Sequence, residues 1–126
     1  MKRVIETNKA PRALGPYSQA IETEEYIFVS GMLGIEPSSG KLEEGIEKQM
    51  QRILKNLEAI LKEAGMTLSH VVKTTIFLKN LKDFSRLNEV YSRYFSPPYP
   101  ARTTVEVSNL PKGALIEMEA IAVKKI

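Results

Sequence analysis

The sequence predicts one α/β domain, an α+β sandwich in which two helices pack on one face of a mixed β-sheet. Three observations predict it. β-branched and aromatic runs occupy 25–31 and 71–78, apolar residues recur at helical spacing over 46–64 and 83–95, and the last apolar run, 114–123, has strand character on both sides. A chain of 126 residues fits a single domain spanning 1–126, since domains run to roughly 100–200 residues. At this size a chain buries about two-thirds of the surface its unfolded form exposes, so the core needs no disulfide or metal.

Residues 17–22 and 25–31 read as extended, the second being Glu25-Tyr26-Ile27-Phe28-Val29-Ser30-Gly31. A turn follows at Pro37-Ser38-Ser39-Gly40. Ile46, Met50, Ile53, Leu54, Leu57, Ile60, Leu61 and Ala64 then form one apolar stripe, with charged residues such as Lys48, Arg52, Lys55 and Glu58 opposite. That is an amphipathic helix of about five turns. Gly65 suits its C-terminal end, where a left-handed residue is needed. Val71–Leu78 reads as a strand. A second helix covers about 83–95, with the stripe Phe84, Leu87, Tyr91, Tyr94, Phe95 and Asp83 as candidate cap. Strands at about 102–107 and 114–123 complete the order.

In the last strand Ile116, Met118, Ala120 and Ala122 form one face, and Leu115, Glu117, Glu119, Ile121 and Val123 the other. A strand that is apolar on both sides is covered on both sides. Two helices cover only one face of so small a sheet, so the pattern predicts a homo-oligomer.

Composition narrows the chemistry. There is no cysteine and a single histidine, His70. Disulfide scaffolds, thiolate metal sites and cysteine nucleophiles are excluded, and no metal-ligand spacing or phosphate-binding glycine motif is present. Eighteen basic and fifteen acidic residues are interspersed, for a net charge of +3. No basic face with interleaved aromatics is visible, so nucleic acid is not an expected partner. No apolar run is long enough to span a membrane, and the first residues lack the apolar region of a secretory signal. A cytoplasmic protein is the expectation.

The candidate chemical residues are few. Arg102 opens a strand, and a guanidinium on a rigid strand can grip a carboxylate with two parallel hydrogen bonds; a surface Arg paired with a glutamate is the competing role. Glu117 is set among Leu115, Ile116 and Met118, where desolvation raises a carboxyl pKa and suits proton transfer; a structural ion pair is the alternative. Glu119 points the same way, and spacing does not say which of the two reacts. Asn88 interrupts the apolar stripe of the second helix and needs partners if buried. Tyr17, after Gly15-Pro16, and Ser30-Gly31, at a strand end, could orient an oxygen-rich ligand or simply pack. His70 reads as a solvated loop residue, and Pro97–Pro100 as a loop setting the approach to Arg102.

These segments in order resemble the RidA/YjgF/UK114 family of reactive intermediate deaminases along nearly the whole chain. The resemblance rests on Gly15-Pro16-Tyr17-Ser18-Gln19-Ala20, Phe28-Val29-Ser30-Gly31, Val71-Val72-Lys73-Thr74-Thr75, Asp83-Phe84 and Asn88-Glu89-Val90-Tyr91. Pro100-Ala101-Arg102-Thr103-Thr104-Val105-Glu106-Val107, Leu110-Pro111-Lys112-Gly113 and Ile116-Glu117-Met118-Glu119-Ala120-Ile121-Ala122 complete it. It implies a chorismate-mutase-like fold and a barrel-like homotrimer with clefts between subunits. It also implies cofactor-independent hydrolysis of 2-aminoacrylate and related enamines or imines (2-iminopropanoate, 2-iminobutanoate) to 2-oxo acids and ammonia. Arg102 would clamp the substrate carboxylate and Glu117 would hold the attacking water or relay a proton. Tyr17, Ser30, Gly31, Asn88 and the backbone at Thr104 would line the substrate site. Met32 stands where many members carry Gln, and Thr104 where many carry Cys or Ser; the first bears on the cleft wall and the second removes a thiol. A non-catalytic trimer binding 2-oxo acids, an RNA-binding or RNA-cleaving relative and a chaperone-like role are the competing functions.

Overall fold

The structure is a computed structural model describing residues 1–126. Its elements are β1 (Arg3–Ile5), β2 (Ala20–Glu22), β3 (Tyr26–Leu33), α1 (Ile46–Glu63), β4 (Val71–Leu78), α2 (Phe84–Tyr94), β5 (Ala101–Glu106) and β6 (Ile116–Val123), with single 3₁₀ turns at Leu68–His70, Leu81–Asp83 and Pro111–Gly113. The six strands form one sheet in the order β1-β2-β3-β6-β4-β5. Only β4 and β5 are parallel; the other neighbours are antiparallel. A parallel pair needs a crossover, and α2 supplies it.

Both helices lie on one face, as the patterning predicts. Ile27, Ile76, Ile116, Met118, Ala120 and Ala122 of the sheet share one buried cluster with Met50, Ile53, Leu54, Leu57 and Leu61 of α1 and Leu87 and Val90 of α2. Each fully buried aliphatic side chain of this kind contributes roughly 1.5–3 kcal/mol. The opposite face is bare. Tyr26, Phe28 and Val105 are among the exposed large apolar residues there, and Lys73, Thr75 and Phe77 of β4 face the same way beside Ile121, Glu119 and Glu117.

Several elements differ from the sequence reading. β1 is an additional strand, held by antiparallel pairing to β2. Only Ala20–Glu22 of the stretch 17–22 joins the sheet. Asp83 occupies the cap position of α2 but its side chain makes no capping bond; the preceding 3₁₀ turn is capped by Asn80, which accepts from the Lys82 N–H. Phe84 is exposed, and Val90 takes its place in the buried stripe. His70 ends a 3₁₀ turn, where its Nδ1 accepts from the Thr67 N–H at 3.1 Å. Gly65 is as expected: at φ 74° its N–H reaches the Lys62 carbonyl, and Met66 N–H reaches that of Leu61, the two bonds of a Schellman ending.

Buried polar side chains fix the loops. Gln49 of α1 donates to the Glu43 carbonyl and accepts from the Leu115 N–H, both at 2.9 Å. Glu22 is bound by Arg3 and Lys124, whose hydrogen bonds, that of Lys124 foremost, hold its carboxyl below the usual range. A lowered carboxyl pKa gives stability that is present above the unfolded value of about 4.3 and lost as pH falls through the folded value. Glu22→Gln is therefore expected to cost about 1 kcal/mol at neutral pH, with the gap to the parent closing below about pH 4 in urea titrations. At Gly34 a Cβ would lie 2.6 Å from the Cα and carbonyl oxygen of Gln49. Gly34→Ala must push α1 off the sheet, and a loss of about 1–3 kcal/mol is expected in the same titrations.

Candidate active site

The site begins at a break in β3. Its register against β6 shifts between Val29 and Met32, a bulge that frees the Ser30-Gly31 backbone from the ladder. Ser30 turns to the preceding segment instead: its N–H donates to the Gln19 carbonyl at 3.0 Å and its Oγ to the Ser18 carbonyl at 2.6 Å. Gln19 in turn accepts from the Thr7 N–H at 2.8 Å and donates to the carbonyls of Thr7, Ala10 and Pro11. One buried amide thus folds the segment 7–19 into a wall, with Tyr17 on its outside; the Tyr17 hydroxyl accepts from the Leu14 N–H at 3.3 Å.

Between this wall and the bare face of the sheet lies a cavity of about 720 Å³, lined by Tyr17, Ser30, Gly31, Met32, Glu117 and Glu119, with Arg12 and Lys112 also contributing. Lys112 holds a left-handed backbone at φ 59°, uncommon for a residue with a side chain. Glu117 lies across from Phe77 on β4 and Leu33 on β3. Burial pushes its carboxyl pKa up, and the charge of Glu119 adds to the effect. The ion pairs of the chain involve Arg3, Arg52 and Lys124, none of them with Glu117 or Glu119. The Glu117 carboxylate rests against the Gly31 Cα, where a methyl group would overlap it.

Arg102 lies elsewhere. It is paired with Thr74, which is itself paired with Ala120, and all three face the helices. Its guanidinium carbon sits 4.8 Å from the Tyr91 ring centre and 5.5 Å from that of Phe84, a cation–π seat on two rings. Tyr91 is fixed by a 2.8 Å hydrogen bond between its hydroxyl and Thr74 Oγ1. Burial, first among the influences on it, raises the Tyr91 hydroxyl pKa. A smaller cavity of about 280 Å³ beside Arg102 is lined by Asn88, Tyr91, Ser92, Tyr99 and Pro100.

The expected site residues therefore fall into two groups. Tyr17, Ser30, Gly31 and Glu117 meet in one cavity, and Asn88 meets Arg102 in the other, on the opposite face of the sheet. Pro100 joins the second group, lining the same small cavity as Arg102. Thr104 lines neither cavity; its Oγ1 is buried without a partner. Met32 lies mostly in the core opposite Met118 but reaches the larger cavity. Sequence spacing does not single out Gln19 or the Phe84–Tyr91 seat. The apolar stripe marked both rings, but as core. No three His, Asp or Glu side chains converge where they could hold a metal ion, and no helix is long and apolar enough to cross a membrane.

Comparison with known proteins adds the lineage. The family described as Endoribonuclease L-PSP matches residues 7–124. A human 2-iminobutanoate/2-iminopropanoate deaminase is 46% identical, covering 98% of this chain and 91% of that protein. The chain belongs to the RidA/YjgF family. A RutC family protein of Pyrococcus abyssi is 54% identical over 98% of each chain. A crystal structure of a Thermotoga maritima protein superposes with a TM-score of 0.96 over all of both chains at 50% identity. The fold that the sequence resemblance implied is the fold found.

Gly31 offers a direct test of the cavity. Because the atom in its way is the free end of a flexible side chain, Gly31→Ala is expected to displace the Glu117 carboxylate and leave stability within about 1 kcal/mol of the parent. A changed Glu117 carboxyl ¹³C resonance beside an unchanged unfolding midpoint is the expected result.

Proposed function

We propose that the chain is a cofactor-independent deaminase that hydrolyses 2-imino acids, such as the tautomer of 2-aminoacrylate, to 2-oxo acids and ammonia. The observation that carries this reading is Glu117: a desolvated carboxyl with no cation bound to it in its own chain, at a cavity of about 720 Å³. The human relative's name supports the same chemistry.

In this reading the chain assembles as a homotrimer. Arg102 and Glu117 lie on opposite faces of one sheet, so a site using both takes them from two copies. The bare apolar face bearing Phe28 and Val105 is a surface that such assembly would cover. Arg102 grips the substrate carboxylate with paired N–H donors. Tyr17, Ser30 and Gly31 bound the space for the imine, while Asn88 and the Thr104 backbone brace the Arg102 side.

The chemistry then needs only proton movement. Water oxygen attacks the imine carbon, the C=N electron pair moves to nitrogen, and Glu117 takes a proton from the water and hands it to that nitrogen. In the second step the carbinolamine hydroxyl gives its proton to Glu117 and the C–N bond breaks. The nitrogen takes that proton and leaves as ammonia. Imine and water become oxo acid and ammonia, with Glu117 restored. A raised pKa favours both halves, because the carboxyl must accept and release a proton near neutrality.

The family's endoribonuclease description favours a second reading, RNA cleavage. Glu117 and Glu119 in the cavity would repel a phosphodiester.

The test generates 2-aminoacrylate in place with a pyridoxal-phosphate dehydratase acting on serine and follows pyruvate. The chain is expected to accelerate pyruvate release, and Arg102→Ala and Glu117→Gln each to abolish the acceleration. Co-assembling these two variants should restore roughly a quarter of the activity, because a random mixture rebuilds that share of clefts from intact halves. No acceleration by the parent chain, or RNA cleavage that survives Arg102→Ala, would sink the reading.

A further inference from the structure

Glu119 has no role in the chemistry above, yet it shares the cavity with Glu117. The two carboxylates lie two residues apart on one face of β6, at successive positions of an antiparallel ladder, opposite Thr75 and Phe77. No cation pairs with either inside the chain. Glu117 is half-buried and Glu119 exposed within the chain, and two like charges at successive positions of one strand face repel each other.

The surroundings of Glu117 are otherwise neutral or positive. β3 presents Ser30, Gly31 and Leu33, none charged. β4 presents Phe77 and Thr75, and beyond them Lys73, whose Nζ is engaged by Thr103 Oγ1 at 2.9 Å. The segment 7–19 brings Arg12 and Tyr17, and the turn at Pro111–Gly113 brings Lys112. In the assembled cleft the Arg102 of a neighbouring copy is added. Glu119 is the one negative group in this set. Burial raises the Glu117 pKa and Glu119 adds to it, whereas an Arg102 brought beside Glu117 in an assembled cleft would act the other way and favour the ionised form.

We propose that Glu119 is a positioning residue for Glu117: its negative charge, on the same strand face and in the same cavity, keeps the Glu117 carboxyl able to take up and release a proton beside Arg102. The raised Glu117 pKa, to which Glu119 contributes after burial, agrees in direction. The proposal rests on the deaminase reading for its consequence, though not for its physical content.

The experiment follows the Glu117 carboxyl ¹³C resonance against pH and, in parallel, the pH dependence of kcat/KM, in the parent, Glu119→Gln and Glu119→Asp. Glu117→Gln assigns the resonance and the matching limb of the profile. Sedimentation confirms that each variant assembles as the parent does, and Glu119→Thr, a strand-favouring neutral residue, replaces Glu119→Gln if that variant does not. Removing the charge is expected to move the Glu117 titration midpoint and the matching kcat/KM limb to lower pH together, and Glu119→Asp to restore both toward the parent. A midpoint that stays put in Glu119→Gln overturns the proposal, as does a midpoint that moves while the kcat/KM limb does not. If the parent has no deaminase activity, the functional reading fails separately. The midpoint alone then decides, its shift supporting the coupling of the two carboxylates and its constancy refuting it.

Discussion

Everything in this molecule depends on β6 being bound on both sides and useful on both faces. It is the last strand in sequence and lies between β3 and β4. Its even residues, Ile116, Met118, Ala120 and Ala122, close the core beneath the helices. Its odd residues present Glu117 and Glu119 to the cavity. A slip of one residue would put two carboxylates under α1 and two large apolar side chains into the cleft. The core therefore enforces the register of the site: the fully buried Ile116 and Met118 flank Glu117 and allow it one orientation.

Arg102 is held by a different device. Both rings beside it, Tyr91 and Phe84, attract the guanidinium without using its N–H donors. A carboxylate partner would hold it as firmly but would occupy the N–H fork that the proposed reading gives to a carboxylate ligand. The three ion pairs of the chain leave Arg102 out. The buried Thr74–Tyr91 hydrogen bond fixes the ring, so the orientation of the charge traces back to a polar pair in the core.

The parts legible in the sequence are those set by local periodicity. α1 spans Ile46–Glu63 and β4 Val71–Leu78, close to or at their expected limits, because each carries its pattern within itself. β1 was not legible, since three residues have no period and its strand character comes from pairing with β2. The helical stripe marks Phe84 as core because it cannot distinguish packing against a sheet from packing against an arginine. Gln19 and Gln49 act through backbone groups far along the chain, which spacing does not display. Glu117 stood out because a carboxylate between apolar neighbours is a local anomaly. That Arg102 and Glu117 face opposite ways was hidden, because relative facing depends on the registers of β4 with β5 and β6.

That opposition also bears on how copies of the chain can meet. An isologous dimer buries one patch against itself. Built on the bare face, it would leave Arg102 on the far side of each sheet, away from the cavity of either copy. A heterologous contact instead places unlike patches together: the β5 edge of one copy, with Arg102 and Asn88, on the cavity side of the next. Contacts of that kind either close into a ring or run on without end. In a closed ring every bare face would be covered and every cavity would meet a neighbour's Arg102, so no copy would be left with half a site. A site built from both residues and burial of the bare face would call for the same cyclic arrangement.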